Sequence, residues 1–198
     1  LAVAVNTTLG ANSVTDLIAL AKQSAKGLSY STPGLGTQMH LAGELLKSVT
    51  GANLVVVPYK GAAPAATALV AGEVPVAISD LTSLLPQAQA GKIRILAVAN
   101  SRRSQTAPQI PTVAEAGVPG FAADAWVGLM VRAGTPVAFV ERLAAEAEKA
   151  VDLAEVKDSM RKAGLEATSM RPAQMQQFVR DEIAKWGKAV KDSNAQPD

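Results

Sequence analysis

Hydrophobic and polar residues follow one another in the first half of the chain in a pattern that predicts alternating strands and helices. Short runs of apolar and β-branched residues begin at Leu1, Leu28, Asn53, Val74 and Lys92. A turn, and then a segment with apolar residues at helical spacing, follows each of the first four runs. This alternation predicts an α/β fold, with a central, largely parallel sheet that carries helices on both faces.

Capping residues and glycines predict where these helices begin and end. Ser13 is a candidate N-cap for the first helix. Pro64 falls at or near the first position of the third helix, where proline is favoured. The β-branched run from Asn53 to Val57 predicts a buried strand. The predicted ends of four helices are Gly27, Gly51, Gly72 and Gly91.

The second half of the chain changes in composition and predicts a different organisation. Residues 101–120 are rich in Arg, Ser, Gln, Pro and Gly, and within them only Thr112 to Ala116 predicts a short helix. An extended apolar segment, Phe121 to Val131, follows. Three helices are then predicted, over 136–152, 153–163 and 172–193. The change near Asp124 predicts an α/β domain of residues 5–124 and a mostly helical domain of residues 125–198.

Composition argues against several classes of function. The formal charge of +2 and the scattered Lys and Arg residues do not favour nucleic-acid binding. No apolar run is long enough to span a bilayer. The lack of cysteine excludes a disulfide framework, a thiolate metal site and a cysteine nucleophile. His40 and Glu44 lie four residues apart, as in some zinc motifs, but no other histidine supplies a third ligand, so we predict neither a metal nor a cofactor.

The first residues predict a strand rather than a leader sequence. The segment Leu1 to Asn6 has no initiator Met, no basic region and no hydrophobic core of signal-peptide form. We therefore expect the sequence to begin inside a folded domain of a longer protein.

The stretch from Leu28 to Leu46 carries the strongest chemical signal. A short strand leads into a turn that contains Gly34 and Gly36, and a helix follows at once. The first turn of a helix has unpaired N–H groups and the positive end of the helix dipole, so it favours an anion. The glycines leave the backbone open to a ligand, and the hydroxyls of Thr32 and Thr37 are candidate donors. The alternative is an ordinary connection in which Thr37 caps the helix.

Known catalytic motifs are missing from the sequence. The glycine turn matches neither the P-loop nor the dinucleotide-binding pattern, and no GxSxG elbow is present. A nucleophilic Ser31 or Ser79 would have only His40 as its base. We therefore predict a binding protein and not an enzyme.

Several motifs occur in a fixed order along the chain. They are YSTPGLGT at 30–37 with HLAGEL at 40–45, VPYKG at 57–61, PTVAEAG at 111–117, WVGL at 126–129 and AGTP at 133–136. Together they closely resemble the Bug family, the extracytoplasmic solute receptors of tripartite tricarboxylate transporters. The resemblance extends over nearly the whole chain and ends in the helix that contains EIAKW at 182–186.

The resemblance implies a two-lobed α/β periplasmic binding protein that closes by a hinge on a small carboxylate, which one loop from each lobe holds. It assigns residues 5–124 to the second, ligand-gripping lobe. It assigns residues 125–198 to a crossover strand and the helical part of the first lobe. Because family receptors are longer than this sequence, we expect the N-terminal part of the first lobe, with its loop, to lie outside it.

Carried over residue by residue, the resemblance places ligand contacts in two loops and at one strand end. Asp80 has an open alternative, because a carboxylate repels an anion and a role in bracing the loop explains it equally well. Pro33 and Leu35 depart from the smaller residues common in this loop, which is expected to alter the shape of the pocket. The implied contact residues are Thr32, Gly34, Gly36, Thr37, Gly61, Ala62 and Asp80.

The sequence therefore predicts a periplasmic receptor that binds a di- or tricarboxylate, an amino acid or an aromatic acid. It is expected to deliver this ligand to the membrane permease of a tripartite tricarboxylate transporter. The alternative is a ligand-binding sensor that docks on a signalling partner. Because the C-terminal helices are amphipathic and the first lobe is incomplete, we also predict self-association of this chain.

Overall fold

The structure is a computed structural model that describes residues 1–162, 165 and 167–193. The chain divides into two units. One unit consists of residues 1–126 together with the chain from Lys188 onward, and the other consists of Val127–Gly187. The first unit contains the sheet, the first four helices and the end of the last helix. The second unit contains the rest of the helical segment.

The sheet of the first unit has five strands, and four of them run in the same direction. β2 pairs in parallel with β3 and with β4, whereas β1 lies antiparallel between β4 and β5. The spatial order is β3-β2-β4-β1-β5. The strands are β1 Ala2–Asn6, β2 Leu28–Thr32, β3 Leu54–Pro58, β4 Val76–Ser79 and β5 Ile93–Val98.

The predicted α/β fold is confirmed, with a mixed rather than an all-parallel sheet. β1 is the exception to the predicted direction. Every residue of β1 is buried. A strand that is buried on both faces has the same apolar pattern in either orientation, so the pattern predicts the strand but not its direction.

Four helices connect the strands of the first unit, and their ends follow local capping chemistry. The Ser13 hydroxyl accepts a hydrogen bond from the Asp16 N–H at 3.0 Å, as predicted for an N-cap. Gly51 and Gly72 end two helices in the left-handed conformation. The helices are α1 Val14–Gln23, α2 Gln38–Thr50, α3 Ala62–Ala71 and α4 Leu81–Gln89. Pro64 is thus the third residue of α3 rather than the first.

The core of the first unit lies around β1 and β4, whose residues are all buried. On one face Ala4 and Ala77 belong to an apolar cluster that includes Leu69 of α3. β3 differs from the prediction of a buried strand, because Val55 is 46% exposed and only Leu54 in this strand is buried. The physical reason is its position: β3 is an edge strand, paired with β2 alone.

The segment after β5 folds without regular secondary structure. The predicted helix at Thr112 to Ala116 is instead a single turn, in which the Ala116 N–H donates to the Thr112 carbonyl at 2.9 Å. Gly117 follows with a φ of 109°, which ends the helical conformation. The predicted extended segment 121–131 forms no strand either.

The second unit is helical over most of its described length. It contains α5 Val137–Asp152, α6 Ala154–Lys162 and the first part of α7 Pro172–Ser193. These helices confirm the sequence prediction, although Ala163, the predicted end of α6, lies outside the described residues. No residue of α5 is buried, and its apolar Val137, Phe139 and Leu143 are all more than half exposed. Among the described residues, no helix is long and apolar enough to cross a membrane.

Candidate functional site

Three parallel strands place the N-termini of three helices at one end of the sheet, where the carboxyl ends of these strands lie. β2 lies between β3 and β4, and these strands lead into α2, α3 and α4. The loops after β2 and β3 are joined directly. The Tyr59 N–H donates to the Thr32 carbonyl at 2.9 Å, and the Gly61 N–H donates to the Pro33 carbonyl at 2.9 Å. In sheets of this kind, ligands bind beyond the carboxyl ends of the strands.

The predicted contact residues therefore lie together at the carboxyl ends of these strands. Thr32 and Gly34 stand in the loop after β2, and Gly61 and Ala62 stand in the neighbouring loop after β3. Asp80 directly follows β4, on the other side of β2. The topology thus brings residues from three separate parts of the sequence to the same end of the sheet.

The N-terminus of α3 has no capping side chain. Gly61 is its N-cap and contributes no side chain, and its φ of 114° is one that favours glycine. Within the described part of the chain, the amides of Ala62 and Ala63 donate to no protein acceptor. Ala62 is half-buried and Ala63 is exposed. These two amides, with the positive end of the α3 dipole, form a group that favours an anion.

Two of the predicted contact residues already have protein partners. The Gly36 N–H donates to Nδ1 of His40 at 3.1 Å. The Thr37 hydroxyl donates to the Gly34 carbonyl at 2.7 Å and accepts the His40 N–H at 3.3 Å. The alternative prediction that Thr37 caps α2 is therefore confirmed, and both residues shape the loop.

Asp80 is the N-cap residue that precedes α4, but its side chain makes no capping hydrogen bond. Its backbone carbonyl accepts hydrogen bonds from the Ser83 N–H and hydroxyl, at 3.1 and 2.8 Å. Within the described residues its carboxylate makes no hydrogen bond and no ion pair. These residues therefore show no contact through which the carboxylate stabilises the loop.

Behind the glycine loop lies a buried cluster of polar side chains. The Tyr30 hydroxyl donates to Oε1 of Glu44 at 3.1 Å and to the His40 carbonyl at 3.3 Å. Lys47 pairs with the other oxygen of Glu44 at 2.7 Å. Burial, reinforced by the negative Glu44, raises the pKa of Tyr30. Burial lowers the pKa of His40, and Glu44 opposes this shift while Lys47 adds to it.

Two hydroxyls at the edge are buried without a hydrogen-bond partner. Thr32 Oγ1 ends β2 and Ser79 Oγ ends β4, and neither meets a donor or acceptor among the residues that the structure describes. The pairing of Ser31 with Ala77 places Thr32 on the face of Tyr30 and Ser79 on the opposite face. The sequence prediction included Thr32 but considered Ser79 only as a nucleophile. The available signal for Ser79 was a hydroxyl at the end of a fully buried strand.

At the carboxyl ends of these strands, backbone amides and hydroxyls provide donors that have no protein partner within the described part of the chain. Over the described ranges, no group of three His, Cys, Asp or Glu side chains is placed to hold a metal ion. Lys60 stands in the loop after β3, and the uncharged donors include the amides of Ala62 and Ala63 and the hydroxyls of Thr32 and Ser79. Such a set can stabilise a carboxylate through hydrogen bonds and helix dipoles without forming an ion pair.

Comparison with known proteins places this arrangement in context. The family model of the tripartite tricarboxylate transporter family receptor matches residues 1–195. The protein BugT of Bordetella pertussis is 32% identical over 190 residues, which cover 96% of this chain and 58% of BugT. The chain spans about half the length of the curated relatives it matches.

Solved structures show the same similarity. Rpa4515 of R. palustris, solved with adipate, is 36% identical with a TM-score of 0.75, and the match covers 99% of this chain and 66% of that one. MatC of Rhodopseudomonas palustris, solved with bound malate, is 27% identical with a TM-score of 0.69. That match covers 96% of this chain and 65% of MatC.

Proposed function

Since this chain belongs to the tripartite tricarboxylate transporter family of receptors, we propose that it binds an aliphatic dicarboxylate and delivers it to the membrane components of such a transporter. The predicted resemblance to the Bug family is confirmed. The family is one of solute receptors and not of enzymes, in agreement with the prediction from the sequence. Adipate and malate, the ligands of two structural neighbours, are both aliphatic dicarboxylates.

The observation that carries this proposal is the open N-terminus of α3 beside the glycine loop. The Ala62 and Ala63 amides have no acceptor among the residues that the structure describes, and Gly61 places no side chain in front of them. One carboxylate of the ligand accepts hydrogen bonds from these amides, and the helix dipole stabilises its charge. Gly34, the other open glycine in the adjoining loop, lets the ligand approach the backbone.

The remaining predicted contact residues have different roles in this proposal. Gly36 and Thr37 hold the shape of the loop through their bonds to α2. The Thr32 hydroxyl is covered, so it reaches the ligand only when the loop above it shifts. Asp80 lies at the rim, where it accepts a hydrogen bond from a ligand hydroxyl, such as that of a hydroxy acid.

Only one of the two ligand carboxylates is placed on this chain. The structural neighbours are longer, and the chain covers about two thirds of each. In the proposed receptor the second carboxylate is held by a loop of another lobe, and hinge closure of the lobes excludes water from the bound ligand. The division into lobes at residues 5–124 and 125–198 remains a prediction. We place the receptor in the periplasm, where its family acts.

Replacing Ala62 by proline tests the proposed amide contact. Ala62 is the first residue of α3, a position where proline is favoured because that N–H has no partner within the helix. The substitution removes one donor and leaves the helix intact, so we expect unchanged stability and carboxylate binding that is weaker by about tenfold or more. The measurement is isothermal titration with adipate and with malate, together with a thermal melt.

The matched control is Ala154→Pro, the same change at the first residue of α6. This variant is expected to bind the dicarboxylate as the unaltered chain does. Equal binding by Ala62→Pro and Ala154→Pro would contradict the proposed contact. If neither the unaltered chain nor a version extended at its N-terminus to the length of its relatives binds any dicarboxylate, the proposed function is wrong.

Self-association also remains a prediction. α5 exposes Val137, Phe139 and Leu143, and an apolar surface of this kind favours burial against another surface. We expect a molar mass above that of the 20.3 kDa monomer in light scattering at high concentration. A monomeric mass throughout the concentration series would contradict it.

A further inference from the structure

The glycine loop is tied to the helix that follows it by one side chain. His40 lies in the first turn of α2, is almost completely buried, and accepts the Gly36 N–H at its Nδ1 atom at 3.1 Å. Gly36 itself is exposed and has a φ of 71°, a conformation in which a side chain is strained. The loop between β2 and α2 is therefore held at an exposed residue by a contact from a buried ring.

This contact determines the protonation state of the ring. An imidazole nitrogen that accepts a hydrogen bond carries no proton, so the neutral His40 ring must carry its proton on Nε2. Nε2 faces Oε1 of Glu44 at 4.0 Å, which is too long for a hydrogen bond but close enough for electrostatic attraction. If Nδ1 were protonated, it would confront the Gly36 N–H as a second donor, and the tie would be lost.

We propose that His40, as the neutral Nε2–H tautomer, is a positioning residue that holds the 33–37 loop in its binding shape, and that protonation of the ring releases the loop. The effect on ligand affinity rests on the proposed function, whereas the effect on the loop does not. A released loop occupies its binding shape for only part of the time, and apparent affinity falls by that fraction.

The groups around His40 set the direction of this switch. The charged or titratable side chains that face the ring are Glu44 and Lys47 of α2 and Tyr30 of β2, while β4 contributes none. Glu44 favours the protonated ring. Its negative charge, however, is partly neutralised by Lys47, and burial of the ring opposes protonation, so the pKa of His40 lies below its ordinary value. The tie is therefore intact at neutral pH and is lost on acidification.

The sequence makes this inference unusually easy to test, because His40 is the one histidine of the chain. In the ligand-free protein, nitrogen NMR shifts of the imidazole report its tautomer directly, and we expect Nε2–H. During an acid titration, the Gly36 amide proton is expected to move upfield with the same midpoint as the His40 ring. The Gly72 amide, which donates to the Leu69 carbonyl at 3.1 Å, is the control and should not follow that midpoint.

Two substitutions separate the hydrogen bond from the charge. His40→Asn offers an amide oxygen where Nδ1 accepts and does not titrate, whereas His40→Ala removes the acceptor. At neutral pH we expect dicarboxylate affinity about tenfold weaker in His40→Ala and nearly unchanged in His40→Asn. On acidification, the unaltered chain should lose affinity relative to His40→Asn. Ionisation of the ligand cancels in that ratio because it affects both proteins equally.

The outcomes are distinct. An Nδ1–H tautomer, or a Gly36 amide that does not follow the ring, would overturn the proposal. An affinity that rises on acidification relative to His40→Asn would overturn it too, because it would make the imidazolium a ligand contact. If the amide follows the ring but no dicarboxylate binds, the positioning role of His40 stands and the proposed function falls.

Discussion

Replacing Thr32 by valine is expected to stabilise the ligand-free protein, although the residue is fully buried at the end of β2. Valine keeps the branched shape that suits a strand. Thr32 Oγ1 has no hydrogen-bond partner among the described residues. A buried hydroxyl without a partner costs about 1–3 kcal/mol. From the lower end of this range, we expect Thr32→Val to raise the free energy of unfolding by about 1 kcal/mol.

The preceding residue provides a matched control of opposite sign. Ser31 is equally buried, but its hydroxyl donates to the Ala65 carbonyl at 3.0 Å. Ser31→Ala removes this hydrogen bond and should lower the free energy of unfolding by about 1 kcal/mol. For a chain of this size, each change corresponds to roughly 2–4 °C in Tm. The two variants should therefore melt on opposite sides of the unaltered chain.

The assay is a thermal melt followed by circular dichroism, supported by urea unfolding. If Thr32→Val is destabilised as much as Ser31→Ala, the Thr32 hydroxyl has a partner in the folded protein and the reasoning is refuted. A saturating dicarboxylate adds a second test. Because the Thr32 hydroxyl is covered in the loop shape that His40 holds, the ligand should raise the Tm of the unaltered chain and of Thr32→Val by the same amount.

Three further predictions follow from close contacts and protonation. Gly43→Ala should lower the free energy of unfolding by about 1–3 kcal/mol, because its Cβ would lie 2.5 Å from the Tyr30 ring. Gly187→Ala, at an exposed helical glycine with no atom near its Cβ position, should instead raise it by roughly 0.5–1 kcal/mol. Stability should fall between about pH 7.5 and pH 5.5, because the unfolded chain takes up a proton that buried His40 resists, and His40→Asn should remove this part of the fall. Melting curves and urea titrations measure all three. The corresponding argument is contradicted if Gly43→Ala is as stable as the unaltered chain, if Gly187→Ala is less stable than it, or if His40→Asn has the same pH dependence of stability.

The comparison with His40→Asn, rather than the pH window alone, isolates the contribution of the histidine. The pKa values of Asp16 and Glu115 are lowered, mainly by hydrogen bonds from backbone N–H groups. Their contribution to stability is therefore present above their ordinary range and is lost only at more acidic pH. Burial also lowers the pKa of the Leu1 amino group, whose contribution falls with pH in the same range but is the same in both proteins. The contribution of His40 is lost as the pH falls in the unaltered chain and is missing from His40→Asn.

The sequence predicts which loops form the candidate site, but it does not predict the hydrogen-bond partners of all their polar groups. Gly34 and Gly61 are placed as the motifs implied, in adjoining loops at the carboxyl edge of parallel strands. The sequence predicts a free Gly36 amide, because it shows only that this residue precedes a helix. In the structure the Gly36 N–H donates to Nδ1 of His40, in the first turn of α2. The sequence does not predict Ser79 as a binding hydroxyl, because its lack of a hydrogen-bond partner depends on the residues that pack around it.

The sequence alone determined the features that depend on neighbours in the chain. The caps at Ser13 and Thr37 and the left-handed ends at Gly51 and Gly72 follow from backbone chemistry within one turn. Only the tertiary structure decided the antiparallel direction of β1, the exposed edge position of β3 and the burial of the Thr32 and Ser79 hydroxyls without a partner among the described residues. The physical reason is that apolar periodicity reports which faces of an element are buried. The direction of a strand, the neighbour it pairs with and the partner of a buried polar atom depend on how the elements pack.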